Sequence, residues 1–219
     1  MSAPTPKLGE TGSLVDRLVV LIRDAIIAGE FAPGEHIRIK PLADSHGVSL
    51  IPVREALSRL LSTRIVIAEP NRGYFVAPAP TDETFCQFRL FRELFEVSAV
   101  ELGFDNVTEA DITRLTNLNG KMRSIAEGRP GKKQLVNWGQ LNGAFHEVLV
   151  GLACNPFIMQ QQVELSFVHM YFQIARSETV DFGILKTLAT EHDGLIEALK
   201  SRDKDTLLQR LSSHINRTV

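Results

Sequence analysis

The sequence predicts a mainly α protein, in which a small N-terminal domain of three helices and one β-hairpin precedes an all-α antiparallel helical bundle. Apolar residues recur at three- and four-residue steps through most of the 219-residue chain, which is the period of an amphipathic helix. Two short β-prone runs, 65–68 and 73–76, are joined by turn residues. The predicted boundaries are a disordered arm over 1–11, the first domain over 12–77, a linker over 78–81 and the bundle over 82–219.

Composition and charge exclude several classes of protein. Hydrophobic residues make up 44% of the chain and the formal net charge is −2, so it is neither a disordered protein nor a polycationic coat for nucleic acid. Cys86 and Cys154 form neither a disulfide framework nor a CxxC metal knuckle, which fits a reduced compartment. Charges interrupt every apolar stretch, and residues 1–10 lack an apolar h-region. We therefore expect a cytoplasmic protein with no membrane partner.

The first domain has the order of a winged helix-turn-helix. Its first helix carries one apolar stripe, and a short second helix over 40–46 ends before Gly47. Ser49 is a natural N-cap for the third helix, which buries its aliphatic residues and turns a polar face with Arg54 outward. The β-hairpin that follows has Arg72 near its tip, as a wing does.

Charge is distributed unevenly along the chain. Residues 38–72 hold six basic and three acidic residues, a local excess of +3 on a weakly acidic protein. A DNA-contacting face on an acidic body has this pattern. An excess of three charges is also common on solvated surfaces, so by itself it does not decide between the two.

Beyond residue 80 the pattern is helical almost to the end of the chain. Asn155-Pro156 and the segment 128–131 are the clear breaks, and there is neither a strand signal nor an internal repeat. The sequence therefore predicts an all-α bundle. Its predicted helices are 82–103, 109–127, 133–151, 156–176, 181–200 and 203–217.

Several stretches resemble a known family. AIIAGEFAPGEHI, PLADSHGVS, PVREALSRL and PNRGYFVAP resemble the winged-helix domain of the GntR superfamily of bacterial transcription regulators. Arg92-x3-Glu96, LNGAFHEVLVGLACNPF, EHDGLIEAL and SSHI resemble the all-helical FCD ligand domain of its FadR branch. The resemblance implies a homodimeric transcription regulator, not an enzyme, that represses by binding a palindromic double-stranded DNA operator and responds to a small carboxylate-like effector.

The resemblance and the helix-turn-helix pattern together select the residues expected to contact DNA. Ser49 can donate to a phosphate, and Arg54, one turn further on, can reach guanine O6 and N7. Leu50 stands where the family usually has arginine and can meet a thymine methyl instead, while Arg64 replaces a common glycine before the wing. The expected DNA contacts are Lys40, Ser49, Leu50, Ile51, Arg54, Arg59, Arg72 and Gly73.

The resemblance also assigns four bundle residues to a divalent metal: Asn142, His146, His192 and His214. Asn142 and His146 are four residues apart, so both side chains emerge on one helix face. The family usually has Asp at the position of Asn142, and the loss of one negative charge favours Zn²⁺ or Ni²⁺ over hard cations. Alternatively, the three histidines hydrogen-bond one another, water or an anionic effector in a metal-free regulator.

Arg92 is the main candidate for binding the effector carboxylate. Pointing inward, its guanidinium can clamp a carboxylate bidentately; pointing outward, it would only form a surface pair with Glu96. Further effector candidates are Arg89 and Tyr171. The remaining histidines and the tryptophan are expected to be ordinary structural residues: His36, His46, His169 and Trp138.

A metalloenzyme is the alternative from a different functional class. Three histidines with an open coordination position also make a hydrolytic zinc site. Only Glu147 and Glu191 adjoin the histidines in sequence, and each projects from a different helix face than its neighbour. Neither is therefore placed as a general base.

Overall fold

The computed structural model describes residues 13–128, 131–176 and 183–217. The arm predicted over 1–11 lies outside these ranges. The chain divides into two compact units, Met1–Pro78 and Ala79–Val219. In the described ranges no helix has both the length and the apolar character needed to cross a bilayer.

The described part of the N-terminal unit contains three α-helices, α1 (Leu14–Ile27), α2 (Ile39–His46) and α3 (Leu50–Leu60). Ser13 begins α1 with a capping box, which satisfies backbone N–H groups at the helix start. Gly47 adopts a φ of 64°, and glycine is the residue that tolerates this left-handed turn between α2 and α3. The predicted helix-turn-helix order is confirmed.

A small antiparallel sheet accompanies these helices. It consists of β1 (His36–Ile37), β2 (Val66–Glu69) and β3 (Gly73–Val76), in the order β1-β3-β2. Tyr74 of β3 lies opposite Ala68 on one side and Ile37 on the other. The predicted two-stranded hairpin was therefore incomplete, because a strand of two residues is too short to show alternation in the sequence.

The described part of the C-terminal unit is a bundle of six helices. They are α4 (Asp82–Gly103), α5 (Glu109–Glu127), α6 (Lys132–Gly151), α7 (Pro156–Ala175), α8 (Gly183–Lys200) and α9 (Lys204–Asn216). These bounds agree with the prediction to within one residue, except that residues 181–182 of the predicted fifth bundle helix lie outside the described ranges. Side chains at the caps fix four of the starts: Thr81, Thr108, Asn155 and Asp203.

The bundle core is formed by residues of α4, α5, α6, α8 and α9, and most of the buried polar side chains lie where α4, α6, α8 and α9 come together. Phe145, Leu149, Leu195 and Leu211 are fully buried there. Gly103 allows α4 to approach the end of α6, because a Cβ at that position would lie within 2.1–2.3 Å of backbone atoms. Polar side chains from all four helices enter the same interior.

Candidate functional site

One face of α3 carries no core residue and is turned to solvent. At about 100° per residue, Leu50, Ile51 and Arg54 fall within an arc of about 100° on this helix. Leu50 is 42% exposed, Ile51 is 75% exposed and Arg54 is exposed. The buried residues Val53, Ala56, Leu57 and Leu60 occupy the arc that adjoins Leu50 on the other side.

The N-terminus of α3 lies beside this exposed face. Ser49 occupies the N-cap position, but its hydroxyl makes no capping hydrogen bond. The first backbone N–H groups of a helix lack intrahelical partners, so this end is suited to a phosphate. Lys40 is exposed in the first turn of α2, as expected of a backbone contact.

Arg59 lies about 80° beyond the exposed arc of α3. Its guanidinium pairs with Asp16 Oδ1 at 2.7 Å and with Glu55 Oε1 at 2.6 Å. These ion pairs hold Arg59 toward α1, so it would have to exchange carboxylates for a phosphate to contact DNA.

Arg72 lies in the turn between β2 and β3, at the predicted wing tip. It pairs with Glu69, and its guanidinium lies 5.0 Å from the centre of the Phe75 ring. Gly73 follows with a φ of 97°, which lets the chain turn back into β3. Arg72 is exposed, but its charge is already partly balanced by Glu69.

The bundle interior brings together three histidines from three helices. His146 on α6, His192 on α8 and His214 on α9 are all buried. Their Nε2 atoms meet: that of His214 lies 3.2 Å from that of His192 and 3.3 Å from that of His146. One potential ligand atom from each ring therefore lies within 4.8 Å of the others.

Two carboxylates fix the orientation of two of these rings. Glu96 Oε2 lies 2.6 Å from His146 Nδ1, and Glu191 Oε2 lies 2.8 Å from His214 Nδ1. An ionised carboxylate only accepts, so each Nδ1 donates, and a ring that carries no second proton presents a lone pair at Nε2. The lone pairs of His146 and His214 then face each other, and a cation or proton between them would relieve the repulsion.

His192 lies in a more apolar setting than the other two rings. It stacks on Phe145 at 4.1 Å and lies nearly parallel to Trp138, with centroids 6.4 Å apart. Its Nδ1 has no hydrogen-bond partner in the described part of the chain. Burial lowers the pKa of His192 well below its usual range.

Protonation of His214 is opposed by the same interior. Burial lowers the pKa of His214 to about 4, although the Glu191 carboxylate acts to raise it. His192 and His214 are therefore neutral near pH 7, which is the form that metal binding requires.

Asn142 lies one turn before His146 on α6 and is also buried. Its Oδ1 atom has no hydrogen-bond partner within the described ranges. A buried amide oxygen without a partner is costly, so this atom is suited to a metal ion or a bound ligand.

A narrow cavity of about 30 Å³ adjoins these residues. Arg92 on α4 reaches it and is only 5% exposed, so of the two orientations left open by the sequence it has the inward one. Arg92 Nε donates to Glu96 Oε1 at 2.8 Å, and Nη1 lies 3.1 Å from the ring nitrogens of His169. The cavity can hold one or two water-sized groups.

The two secondary effector candidates differ in position. Arg89 lines the cavity, and its Nη1 donates to the carbonyl of Asn216 at 3.1 Å. Tyr171 is buried on α7, where burial raises its pKa to about 12, but it does not belong to the described lining of the cavity. Arg89 is therefore better placed than Tyr171 to contact a ligand there.

Sequence reasoning missed three residues of this region. His169, expected to be an ordinary residue, lines the cavity with Gln173 and contacts Arg92. The four-residue spacing of His169 and Gln173 was the available signal for a shared helix face. Glu191 does project from a different face than its neighbour His192, but it reaches His214 on the next helix.

Comparison with known proteins relates both units to described families. The family described as bacterial regulatory proteins, gntR family, matches residues 14–76, and the FCD domain matches residues 88–217. The FCD match alone covers more than half of the chain.

Individual relatives can be aligned with this chain over most of its length. The chain is 29% identical over 196 residues to the uncharacterized HTH-type transcriptional regulator YdhC of Bacillus subtilis (strain 168), covering 89% of this chain and 84% of YdhC. It is 26% identical over 199 residues to the HTH-type transcriptional repressor GlaR of Escherichia coli (strain K12), covering 89% of each. The solved structure of E. coli McbR/YncC has the same fold, with a TM-score of 0.78 at 24% identity over 94% of both chains.

Proposed function

Since this chain belongs to the gntR family of bacterial regulatory proteins and carries an FCD domain, and is therefore a DNA-binding transcription regulator rather than an enzyme, we propose that it is a metabolite-responsive repressor. A homodimer binds a palindromic operator through α3. A small organic acid, bound beside a divalent metal in the bundle, changes the affinity for that operator. The observation that carries the proposal is the convergence of three buried imidazole Nε2 atoms beside the buried guanidinium of Arg92.

The exposed face of α3 supports operator binding. Arg54 forms no ion pair among the described residues, so its guanidinium is available to guanine O6 and N7 in the major groove. Ser49 and Lys40 contact phosphates. Arg72 exchanges Glu69 for the DNA backbone or the adjacent minor groove. An operator in bacterial DNA also makes this a cytoplasmic protein.

An apolar stripe on the outside of α4 supports the homodimer. At about 100° per residue, Leu90, Phe91, Leu94 and Leu102 fall within about 120° of one another on the face opposite Arg92. All four are exposed, Leu94 by 64%. Exposed apolar side chains grouped on one helix face mark an association site, even with Ser98 and Glu101 between Leu94 and Leu102, and a second copy fits because a two-fold operator needs a two-fold protein.

The spacing of the imidazoles supports a metal ion. Zinc bound tetrahedrally at about 2.0–2.1 Å separates its nitrogen ligands by about 3.3–3.4 Å. Two of the three Nε2 separations are 3.2 and 3.3 Å, and all three ligand atoms lie within 4.8 Å of one another. Because burial disfavours a proton on His214, a metal ion is the better cation to separate the facing lone pairs. With Asn142 Oδ1 as a neutral oxygen donor, the site favours Zn²⁺ or Ni²⁺.

The cavity supports a small anionic effector. Arg92 and Arg89 give it a positive wall, and the metal would add charge and an open coordination position for a carboxylate oxygen. Its volume of about 30 Å³ favours a compact acid over a long one. To regulate, this acid must bind the operator-bound and free arrangements of the dimer with different affinities.

Fluorescence anisotropy tests the regulation directly. An operator duplex is first selected with the protein from a randomised library, and three compact acids, formate, acetate and pyruvate, are then added to the complex. We expect at least one of them to change the affinity at least about fivefold, and Arg92→Lys, which keeps the charge but loses the planar fork, to abolish that response. Unchanged affinity with all three acids would contradict the proposal.

Transcription from a promoter carrying the selected operator tests the sign of regulation. Expression of the protein should lower transcription of a reporter gene, and the effective acid should restore it. Increased transcription on expression would contradict repression while leaving operator binding intact.

A further inference from the structure

We propose that Leu50 and Ile51 read the C5-methyl groups of thymine in the major groove, so that each operator half-site carries thymine next to the guanine contacted by Arg54. This inference rests on the proposed function only in taking α3 as the helix that enters the groove. Beyond the proposed function, it identifies the chemical feature of the bases that the first turn of that helix contacts.

The exposure of these two side chains is not explained by the fold. Leu50 borders the buried face of α3 but remains 42% exposed, and Ile51 lies well away from Val53, Leu57 and Leu60, which are almost fully inaccessible. Among the described residues of the N-terminal unit, Ile51 is the most exposed large hydrophobic residue, at 75%. On a surface helix this face is normally polar, so two adjacent aliphatic side chains there indicate a contact with an apolar feature of a partner.

The charges around the pair indicate that this partner is DNA. Arg54 lies one turn after Leu50 on α3, and Arg38 and Lys40 are exposed at the start of α2. Of the acids on these two helices, Asp44 is exposed and Glu55 is engaged by Arg59. A polyanion is favoured on such a surface, whereas an apolar protein partner would have to bury these charges unpaired. The exposed basic residues of this region that form no described ion pair are Arg38, Lys40, Arg54 and Arg64.

The chemistry of the two side chains then selects the base. Leucine and isoleucine have neither donors nor acceptors, so they cannot read guanine O6 or N7 or the amino group of cytosine or adenine. The thymine methyl is the one apolar group that a base pair presents in the major groove. Burying one methyl against an aliphatic side chain strengthens binding about fourfold. The same contact in both half-sites doubles the free energy gained, which strengthens binding about fifteenfold.

Replacing thymine by deoxyuridine removes this methyl and nothing else. The full-length protein is used with its selected operator, and each thymine of a half-site is replaced symmetrically by deoxyuridine. We expect the wild type to lose affinity about fifteenfold at one or two positions next to the Arg54-contacted guanine. Leu50→Ala and Ile51→Ala should bind the thymine operator more weakly, and each should lose the response to deoxyuridine at the position that it reads.

Matched variants separate failure of this inference from failure of the proposed function. Arg54→Ala should weaken binding without changing the response to deoxyuridine, and Arg59→Ala should have the smaller effect of the two. Equal affinity of the wild type for the thymine and deoxyuridine operators, or a selected half-site without thymine, would overturn the inference even if Arg54→Ala weakens binding. If Arg54→Ala also leaves affinity unchanged, α3 is not the reading helix, and both the inference and the proposed mode of operator binding fail.

Discussion

Glu96 shows most directly how single residues build the bundle interior. One carboxylate oxygen accepts from Arg92 Nε at 2.8 Å and the other contacts His146 Nδ1 at 2.6 Å. Burial acts to raise the pKa of Glu96, but the Arg92 guanidinium and the His146 ring together lower it well below its usual range. The ionised carboxylate therefore links the proposed effector clamp to a proposed metal ligand.

Glu96→Gln should lower the affinity for Zn²⁺ or Ni²⁺ about 10- to 100-fold, because the neutral amide no longer fixes the tautomer and basicity of His146. Trp138 is the single tryptophan of the chain and lies 6.4 Å from the His192 ring, so its fluorescence reports the titration. Glu101→Gln, exposed on the same helix, is the control and should leave the affinity unchanged. Equal affinities in the wild type and Glu96→Gln would contradict the role of Glu96.

Which residues share the interior was predictable only in part. The histidines at 146, 192 and 214 were selected through a resemblance, since each lies at least 22 residues from the next along the chain. The inward orientation of Arg92 was not predictable, because a spacing of four from Glu96 fits a surface pair equally well. His169 was missed because its importance depends on α7 lying against α4, which no local pattern encodes.

At the scale of helices and strands, most element bounds could be predicted from local sequence features. Caps and breakers stand at the ends of the bundle helices, as with Thr108 before α5 and Asn155-Pro156 before α7, so their bounds followed from the sequence. Strand β1 did not follow, because His36–Ile37 is defined by its pairing with β3 rather than by its own pattern.

Gly103→Ala should lower the free energy of unfolding by about 1–3 kcal/mol or more in urea titrations. The added Cβ would meet the backbone of Leu152 and Ala153 at 2.1–2.3 Å, and backbone cannot move aside as a side chain does. Gly120→Ala on α5 is the matched control. Its Cβ would meet nothing within 4 Å, so helix propensity should make it neutral or stabilising by up to about 1 kcal/mol. Equal effects of the two substitutions would contradict the close approach of α4 to α6.

At the scale of the whole molecule, a DNA-binding unit precedes an FCD bundle, and the proposed dimer would give both units a common two-fold symmetry. Among the residues that the structure describes, the first turn of α3 and the apolar stripe of α4 expose large hydrophobic side chains that the core does not use. The proposals assign the first to the operator and the second to the partner copy. The hydrophobic pattern predicted a bundle but did not distinguish an inner face from an interface, because both are apolar.

Leu94→Glu should convert the dimer to a monomer, because a charge at a 64% exposed position of the stripe harms association without entering the core. Size-exclusion chromatography with light scattering measures the mass, and operator affinity should fall with it because only one half-site is bound at a time. Thr187→Glu, exposed on α8, should remain dimeric. A dimeric Leu94→Glu would contradict the assignment of this stripe to the interface.

The most direct test of the sensor is the metal content of the untagged protein after incubation with Zn²⁺ or Ni²⁺ and removal of the excess. Elemental analysis should find one ion per chain in the wild type and in His36→Ala, whose ring stacks on Phe75 in the N-terminal unit. His214→Ala, which removes the ring whose Nε2 lies between the other two, should retain almost none. Wild-type protein without stoichiometric metal would contradict the account, and would mean that the histidines hydrogen-bond one another or the effector directly.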